Sequence, residues 1–318
     1  MSSPVTGRGE FAATAGVLVT ALCWGSMIPL TSLLLASLPP FLIAATRYTV
    51  AVPVLAVLIA VIEGGAILPL ELPWRRIAML GGLGIAGFAT CYTFGIWYSG
   101  PITAAAILAT GPVVAALMDW LIARRRVTRR AFAAIALTVA GGLMVAVGRP
   151  GGSLTAHGGE ILLVLGLVCW TWYSMKAQAW LAPLGIGQLR LTMVTSGAAG
   201  LALWTVYGLT AGLGLQPLPA AWPGGTVIVI MVYLCVGPTA ICIALWNHGT
   251  ARLGITIAMV ILNLAPVFAV LLGIALGAKP TALQLVGGAV TLAGVLWLQF
   301  GGRRRVGSAL VDAVGERR

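Results

Sequence analysis

The stretch ILLVLGLVCWTWYSMKAQAW, residues Ile161 to Trp180, is apolar enough to cross a bilayer as one helix, yet it carries Lys176 near its end. A membrane-spanning helix needs about 20 predominantly apolar residues, and a charged side chain within such a helix marks a candidate functional site. The Cys-Trp pair at 169–170 has an echo at 23–24, in the first apolar segment of the chain. This echo indicates that the chain is built from two related halves.

Apolar segments of this kind recur along almost the whole chain. Of its 318 residues, 60% are hydrophobic and only 8% are charged, and the mean hydropathy is +1.03. A chain with this composition cannot keep its apolar surface away from water in a soluble core. The composition therefore predicts an all-α polytopic membrane protein, a single membrane domain over residues 1–318, and leaves no room for a separate soluble domain.

Turn signals divide the apolar sequence into ten predicted transmembrane helices. Pro39-Pro40, Gly100-Pro101 and the Gly-rich linker at 148–152 mark three of the boundaries. The helices are predicted at about residues 11–37, 41–62, 77–98, 102–123, 131–147, 159–181, 188–210, 225–246, 253–276 and 281–300. The first five helices form one repeat (11–148), the second five form another (159–300), and residues 301–318 form a cytoplasmic tail.

The net charge of +12 is explained by basic loops on one side of the membrane. With the N-terminus inside, 14 Lys and Arg residues fall on the cytoplasmic side and only Arg149 and Lys279 fall outside. The cluster Arg124 to Arg130 would also suit a nucleic-acid phosphate, but basic loops of membrane proteins fix the orientation of the chain. We therefore expect both termini in the cytoplasm and no nucleic-acid partner. The 14 cytoplasmic residues are Arg8, Arg75, Arg76, Arg124, Arg125, Arg126, Arg129, Arg130, Arg252, Arg303, Arg304, Arg305, Arg317 and Arg318.

Further matches between the two halves follow the same order as the Cys-Trp echo. Because each half contains five helices, an odd number, the second half must enter the membrane from the opposite side, which makes the halves an inverted repeat. Inverted repeats are typical of transporters, in which two similar half-bundles open alternately around a site near the membrane midplane. The matched positions are Arg47 with Arg190, Trp97-x-x-Gly100 with Trp246-x-x-Gly249, and Pro112 with Pro266.

These features together resemble the EamA family of the drug/metabolite transporter superfamily: two five-helix repeats, tryptophans early in helices one and six, arginines near the start of helices two and seven, and prolines within helices four and nine. The terminal pattern TALQLVGGAVTLAG at 281–294 resembles the family as well, and the resemblance covers about Ala15 to Phe300. It implies a permease of the bacterial inner membrane that exports small amphiphilic metabolites such as amino acids. The motifs Trp246-Asn247-x-Gly249 and Trp170-x-x-Tyr173 are similar to those of the family's aromatic amino-acid exporters.

The resemblance also implies a solute cavity near the midplane, with helices one, three, four, six, eight and nine as its walls. Aromatic rings offer apolar contact to a solute side chain, while NH, OH and amide groups hold its polar end. Lys176 has two interpretations: it attracts a solute carboxylate from the cavity wall, or it extends to the lipid headgroups at the helix end. The other candidate lining residues are Trp24, Tyr92, Trp170, Tyr173, Trp246, Asn247 and Asn263.

Two arginines and two prolines are candidates for gating or helix bending. Arg47 and Arg190 either form the edges of a gate or anchor their helices at the membrane surface. Pro112 and Pro266 each free a backbone carbonyl, and either bend their helices at the site or are ordinary membrane prolines. Asp119, an acid well inside an apolar segment, either pairs with the nearby arginine cluster or relays protons.

The sequence contains no pattern for catalysis or for a bound metal. The five cysteines lie in apolar segments without metal-ligand spacing, and no Ser-His-Asp set or phosphate loop is present. We therefore expect no catalytic residue, no metal and no cofactor, with a small-molecule solute and the lipid bilayer as partners and the oligomeric state open. The alternative to a transporter is a membrane-embedded enzyme or an accessory scaffold subunit. An enzyme needs a paired acid, His or metal-ligand set at membrane depth, and a scaffold has no need of paired inverted halves.

Overall fold

The computed structural model describes residues 7–63, 72–123, 158–216, 218–219, 223–253 and 264–300, together with residues 133, 136–137, 140–141, 144, 148, 258 and 261–262. The arginine cluster at 124–130, most of predicted helix five, the loop at 149–157, Asn263 and the tail after Phe300 lie outside these residues. Within the described residues, six helices are long and apolar enough to cross a membrane. The count of ten helices stays a prediction.

The helices follow the predicted order, and most of their bounds agree with the prediction within a few residues. Prolines and glycines start or end many of them, as the turn signals indicate. The helices are α1 (Gly7–Leu35), α2 (Pro40–Ile62), α3 (Trp74–Ser99), α4 (Pro101–Leu108), α5 (Gly111–Ala123), α6 (Gly159–Trp180), α7 (Gln188–Gly212), α8 (Gly225–Leu253), α9 (Ala265–Ala275) and α10 (Ala282–Phe300).

The prediction of one continuous helix over 102–123 is wrong, because the chain breaks into α4 and α5 at Ala109 and Thr110. The Thr110 hydroxyl donates to the Ile107 carbonyl at 2.7 Å. The Thr110 carbonyl in turn accepts the amide of Val113 at 2.8 Å, which starts α5. Pro112 has no N–H to continue the helical hydrogen bonds, which explains why the helix breaks just before it.

Helix α8 is longer than predicted and ends at Leu253 rather than near Trp246. Gly249 lies within the added turns, and a Cβ atom at this position would meet the side chain of Val17. A glycine normally weakens a helix, but here it lets α8 approach α1 closely. Packing therefore extends the helix past the point where the sequence predicts a turn.

Two segments of π-helix interrupt α3 and α8, at Leu80–Ala86 and Cys235–Ile241. Each lies in the third helix of its predicted repeat. In the first segment, a Cβ at Gly84 would lie 2.8 Å from the Cβ of Tyr173, so the glycine permits close packing with α6. In the second, Pro238 removes one backbone donor. Such segments are rare in helices and often accompany functional sites.

Helices of the two halves pack across one another in matching pairs. Helix α1 packs against α8 and α9, whereas α6 packs against α3 and against α4 and α5. Helices α2 and α7 pack against each other, and each also packs against the π segment of the opposite half. Exchanging the halves maps each of these pairs onto another pair. Their opposite orientation in the membrane stays a prediction.

The outer faces of the helices are apolar and suit contact with lipid. Leu201, Val229 and Leu83 are exposed by 72%, 69% and 61% of their surfaces. Polar side chains such as Thr192 and Asn247 are instead buried between helices. This distribution is expected for a protein whose surroundings are hydrocarbon rather than water.

Candidate functional site

A cavity lies between α1, α2, α3, α6 and α8, next to the break between α4 and α5 and the start of α9. Its atom-free volume is about 850 Å³, which includes the open space at its mouth. Trp24 and Trp170 both line it and lie near the middle of α1 and α6. The aromatic and charged residues of its wall are Trp24, Arg47, Tyr48, Phe88, Tyr92 and Trp170.

The aromatic rings of the wall contact one another and form a continuous surface. Trp24 lies edge-on to Trp170, with 5.2 Å between ring centroids and an interplanar angle of 84°. Phe88 lies 5.2 Å from Trp170 on the other side. The Trp24 Nε1–H donates to the carbonyl of Pro238 at 2.9 Å, within the π segment of α8, and this bond fixes the orientation of the ring.

A buried polar layer lies directly behind Trp170, outside the cavity wall. The Asn247 Nδ2 donates to the Thr192 hydroxyl at 2.9 Å and to the Tyr173 hydroxyl at 3.3 Å. The Tyr173 hydroxyl also lies 3.4 Å from the Thr195 hydroxyl. Tyr173 is one helical turn beyond Trp170 and touches its ring, but its hydroxyl reaches α7 and α8 rather than the cavity.

Three of the residues predicted to line the cavity, Tyr173, Trp246 and Asn247, thus lie behind its wall, whereas Trp24, Tyr92 and Trp170 line it. Trp246 supports Trp24 from behind, with 5.7 Å between ring centroids. Asn263 lies outside the described residues.

Arg47 lines the cavity and is only 2% exposed. The side chain is therefore directed into the cavity rather than to the outer surface of the bundle. Helix α2 packs against α7 and against the π segment of α8. The Arg47 Nε donates to the Thr239 hydroxyl at 3.1 Å, and its Nη2 lies 2.8 Å from the Met27 Sδ. A role of Arg47 at the edge of a gate stays a prediction.

Arg190, the counterpart of Arg47 in the sequence, has a different environment. It forms an ion pair with Glu63, which joins the start of α7 to the end of α2. Both side chains are partly exposed. Arg190 therefore lies at a helix end, as predicted, and away from the cavity wall.

Lys176 lies outside the cavity wall. Its Nζ is 5.7 Å from the centroid of the Trp180 ring, and Trp180 contacts Trp172 edge-on. The three side chains are half-buried on the part of α6 that leads to its C-terminal end. The structure thus does not bring Lys176 together with Trp170.

The proline-containing segments border the cavity. Leu108 and Gly111 flank the break before α5, Leu262 and Ala265 flank the start of α9, and all four line the cavity. The side chains of Pro112, Pro266 and Asp119 lie outside the described part of the structure. Whether the breaks act as gates stays a prediction.

The wall also contains Phe88, Tyr48 and Met27, which were not predicted from the sequence. A signal existed for two of them. Phe88 precedes Tyr92 by four residues on α3, and Met27 follows Trp24 by three residues on α1, so each shares a helical face with a predicted residue. In the described residues, no group of three or more His, Cys, Asp and Glu side chains is placed to hold a metal ion.

Comparison with known proteins gives consistent results along the chain. The EamA-like transporter family matches twice, over residues 12–147 and 157–300. An uncharacterized transporter of Bacillus subtilis, YyaM, is 23% identical over 261 residues, which is 80% of this chain and 82% of that protein. A probable terminal-alkyne amino-acid exporter of Streptantibioticus cattleyicolor is 25% identical over 297 residues, or 92% of this chain and 95% of that protein.

A crystal structure of a protein with 23% sequence identity matches the fold with a TM-score of 0.66. The match covers 92% of this chain and 98% of the other. The overall fold is therefore shared with a solved protein.

Proposed function

The chain belongs to the EamA-like transporter family, and from this premise we propose that it exports small amphiphilic metabolites such as amino acids, by alternating access around the central cavity. Its family and its relatives make it a membrane transporter rather than an enzyme. The solute class, the direction of transport and the alternating-access mechanism are proposed. We also propose that the protein lies in the bacterial inner membrane with both termini in the cytoplasm.

The cavity itself is the observation that carries this proposal. Its wall combines aromatic rings, which suit an apolar side chain, with the cation Arg47 and the hydroxyl of Tyr92. Interrupted helices reach it on two sides, at the break before α5 and at the start of α9. Transporter sites are typically formed where interrupted helices meet near the middle of the membrane.

Alternating access is supported by the exchange of partners between the halves. Helices α2 and α7 meet directly, and each rests on the π segment of the opposite half. An arrangement of equivalent half-bundles around one site offers two similar ways of closing, one for each side of the membrane.

The choice of amino acids rests on one relative. The Streptantibioticus cattleyicolor protein is described as a probable terminal-alkyne amino-acid exporter and matches nearly the whole chain. Such a solute has a short apolar side chain and charged groups at one end. Both features suit a wall of aromatic rings with one cation.

The test is counterflow in proteoliposomes that contain the full-length protein. Liposomes are loaded with one unlabelled amino acid from a panel of neutral aliphatic and aromatic types, and uptake of the same radiolabelled amino acid is followed. We expect labelled solute to accumulate transiently for at least one member, and not in liposomes without protein. Absence of counterflow for every member would contradict the proposed solute class.

A further inference from the structure

Arg47 is a buried cation within the membrane-spanning helix α2, and the described residues provide no anion for it. It is 2% exposed, faces the cavity, and has no Asp or Glu within ion-pair distance in the described part of the chain. A buried charge without a partner loses much of its hydration free energy and is retained only where something compensates it. An ionisable residue at this depth therefore indicates a functional site.

The neighbours of Arg47 satisfy only part of its guanidinium group. The group has five N–H donors. One goes to the Thr239 hydroxyl at 3.1 Å, and another points to the sulfur of Met27 at 2.8 Å, which is a weak acceptor. The Thr239 hydroxyl donates its own hydrogen to the Leu234 carbonyl at 2.7 Å. Thr239 thus holds Arg47 in place as a neutral acceptor and leaves its positive charge unbalanced.

We propose that Arg47 binds the carboxylate of the transported solute, an inference that rests on the proposed function. A planar guanidinium matches the two oxygens of a carboxylate. Tyr48 lies beside it, with the Arg47 Cζ 5.8 Å from the ring centroid. Trp24 and Trp170 offer apolar surface to the rest of the solute in the same cavity.

The remaining polar groups of the cavity define the solute further. The buried Tyr92 hydroxyl belongs to the cavity wall and lies next to the hydroxyl of Thr31, which is behind the wall. The Tyr92 oxygen can accept a hydrogen bond from a donor such as an amino group of the solute. With one cation in the described wall, a second carboxylate on the solute would have no partner. The site therefore selects monocarboxylates with an apolar side chain and disfavours dicarboxylates.

The sequence contains a second candidate for this role, Lys176, and the structure separates the two. Lys176 lies near the end of α6 with its Nζ over the Trp180 ring, and it does not line the cavity. Removing the charge of Arg47 should thus affect the recognition of a carboxylate, whereas removing the charge of Lys176 should not.

The experiment measures equilibrium binding to the purified full-length protein. Competition against radiolabelled L-leucine compares L-leucine, L-leucinamide, in which a neutral amide replaces the carboxylate, and L-glutamate. For the wild type we expect leucine to bind more tightly than either of the others. Arg47→Gln should weaken leucine binding roughly 10- to 100-fold, the effect of losing a hydrogen bond to a charged group. The affinity for leucinamide is measured directly with radiolabelled leucinamide. Because leucinamide has no carboxylate, Arg47→Gln should change this affinity only slightly.

Matched variants separate the charge from other effects. Arg47→Lys keeps the charge but loses the planar fork, so it should give an intermediate affinity for leucine. Lys279→Gln removes an exposed cation far from the cavity and should leave binding unchanged, as should Lys176→Gln.

Two results would overturn the assignment while leaving the proposed function intact. One is that the wild type transports leucine yet binds leucinamide equally well, which needs no variant to fold. The other is that Arg47→Gln keeps its preference for leucine over leucinamide. If the wild type binds none of these compounds and shows no counterflow with the panel, the proposed function fails and the carboxylate assignment fails with it.

Discussion

At the scale of single residues, Trp24 connects the cavity wall to its support. Its ring contacts Trp170 edge-on and lies near Trp246, and its Nε1–H donates to the Pro238 carbonyl. A ring held on three sides has little freedom to rotate. The wall that it forms is therefore prepared for a solute before the solute arrives.

Replacing Trp170 by alanine should weaken solute binding about tenfold, because a ring contact of this kind is worth roughly 1 to 1.5 kcal/mol. The measurement is the affinity for leucine in the binding assay. Trp120→Ala, which removes an exposed ring on α5, is the matched control and should bind normally. Equal affinities in the two variants would remove α6 from the binding site.

Asn247 is expected to act on stability rather than on binding. Its amide donates to Thr192 and Tyr173 in the buried polar layer, so Asn247→Ala leaves two buried hydroxyls without this donor. We expect a loss of about 1 to 3 kcal/mol in stability, seen as a lower midpoint of thermal unfolding in detergent. The folded fraction should still bind leucine with wild-type affinity. Normal stability with weakened binding would place Asn247 in the cavity wall instead.

The sequence allowed Trp24, Tyr92 and Trp170 to be predicted as wall residues because aromatic side chains within membrane helices offer apolar contact to a solute. The sequence left the environment of the Arg47 side chain open for a physical reason. Its depth along α2 follows from the sequence, but its burial depends on α7 and on the π segment of α8, and neither contact is encoded near residue 47.

At the scale of helices, regular α-helix is interrupted at three places in the helices that form the site. These places are the two π segments and the break between α4 and α5. The π segment of α8 supplies the Pro238 carbonyl to Trp24 and the Thr239 hydroxyl to Arg47. Helical periodicity predicts none of this, because a π segment changes the direction of the side chains that follow it. Only the prolines and glycines of these segments are visible in the sequence.

Gly84→Ala should destabilise the contact between α3 and α6. Its new Cβ would lie 2.8 Å from the Tyr173 Cβ, and overpacking of a tight interface typically costs about 1 to 3 kcal/mol. Thermal unfolding in detergent measures the effect. Gly82→Ala is the matched control, since no neighbouring atom lies within 4 Å of a Cβ there. Equal unfolding midpoints for the two variants would show that the close approach of α3 to α6 is not required.

At the scale of the whole molecule, the exchange of partners between halves agrees with the repeat predicted from the sequence. The order of the matched positions was readable because each repeat keeps its own tryptophan, arginine and proline. Which helix packs against which was not readable, because packing across the halves leaves no local pattern. The number of membrane-spanning helices and their orientation in the membrane stay predictions.

The orientation can be tested with one engineered site. The excess of 14 to 2 in Lys and Arg predicts both termini inside and the loop after Arg149 outside. In a variant without native cysteines, Ser153→Cys should react with a membrane-impermeant maleimide in intact cells. Ser2→Cys should react only after permeabilisation. The reverse pattern would show that the protein is oriented the other way.

The packing of α1 and α2 onto the second half has a consequence for biosynthesis. The Thr239 that holds Arg47 is translated 192 residues after it, which takes roughly 10 to 40 seconds at ordinary ribosome speeds. During that interval α1 and α2 are already made, but the helices that cover them have not left the ribosome. A nascent chain that stalls midway would present an uncovered arginine to lipid or to the insertion machinery. This makes the first half a natural target for quality control until the second half arrives.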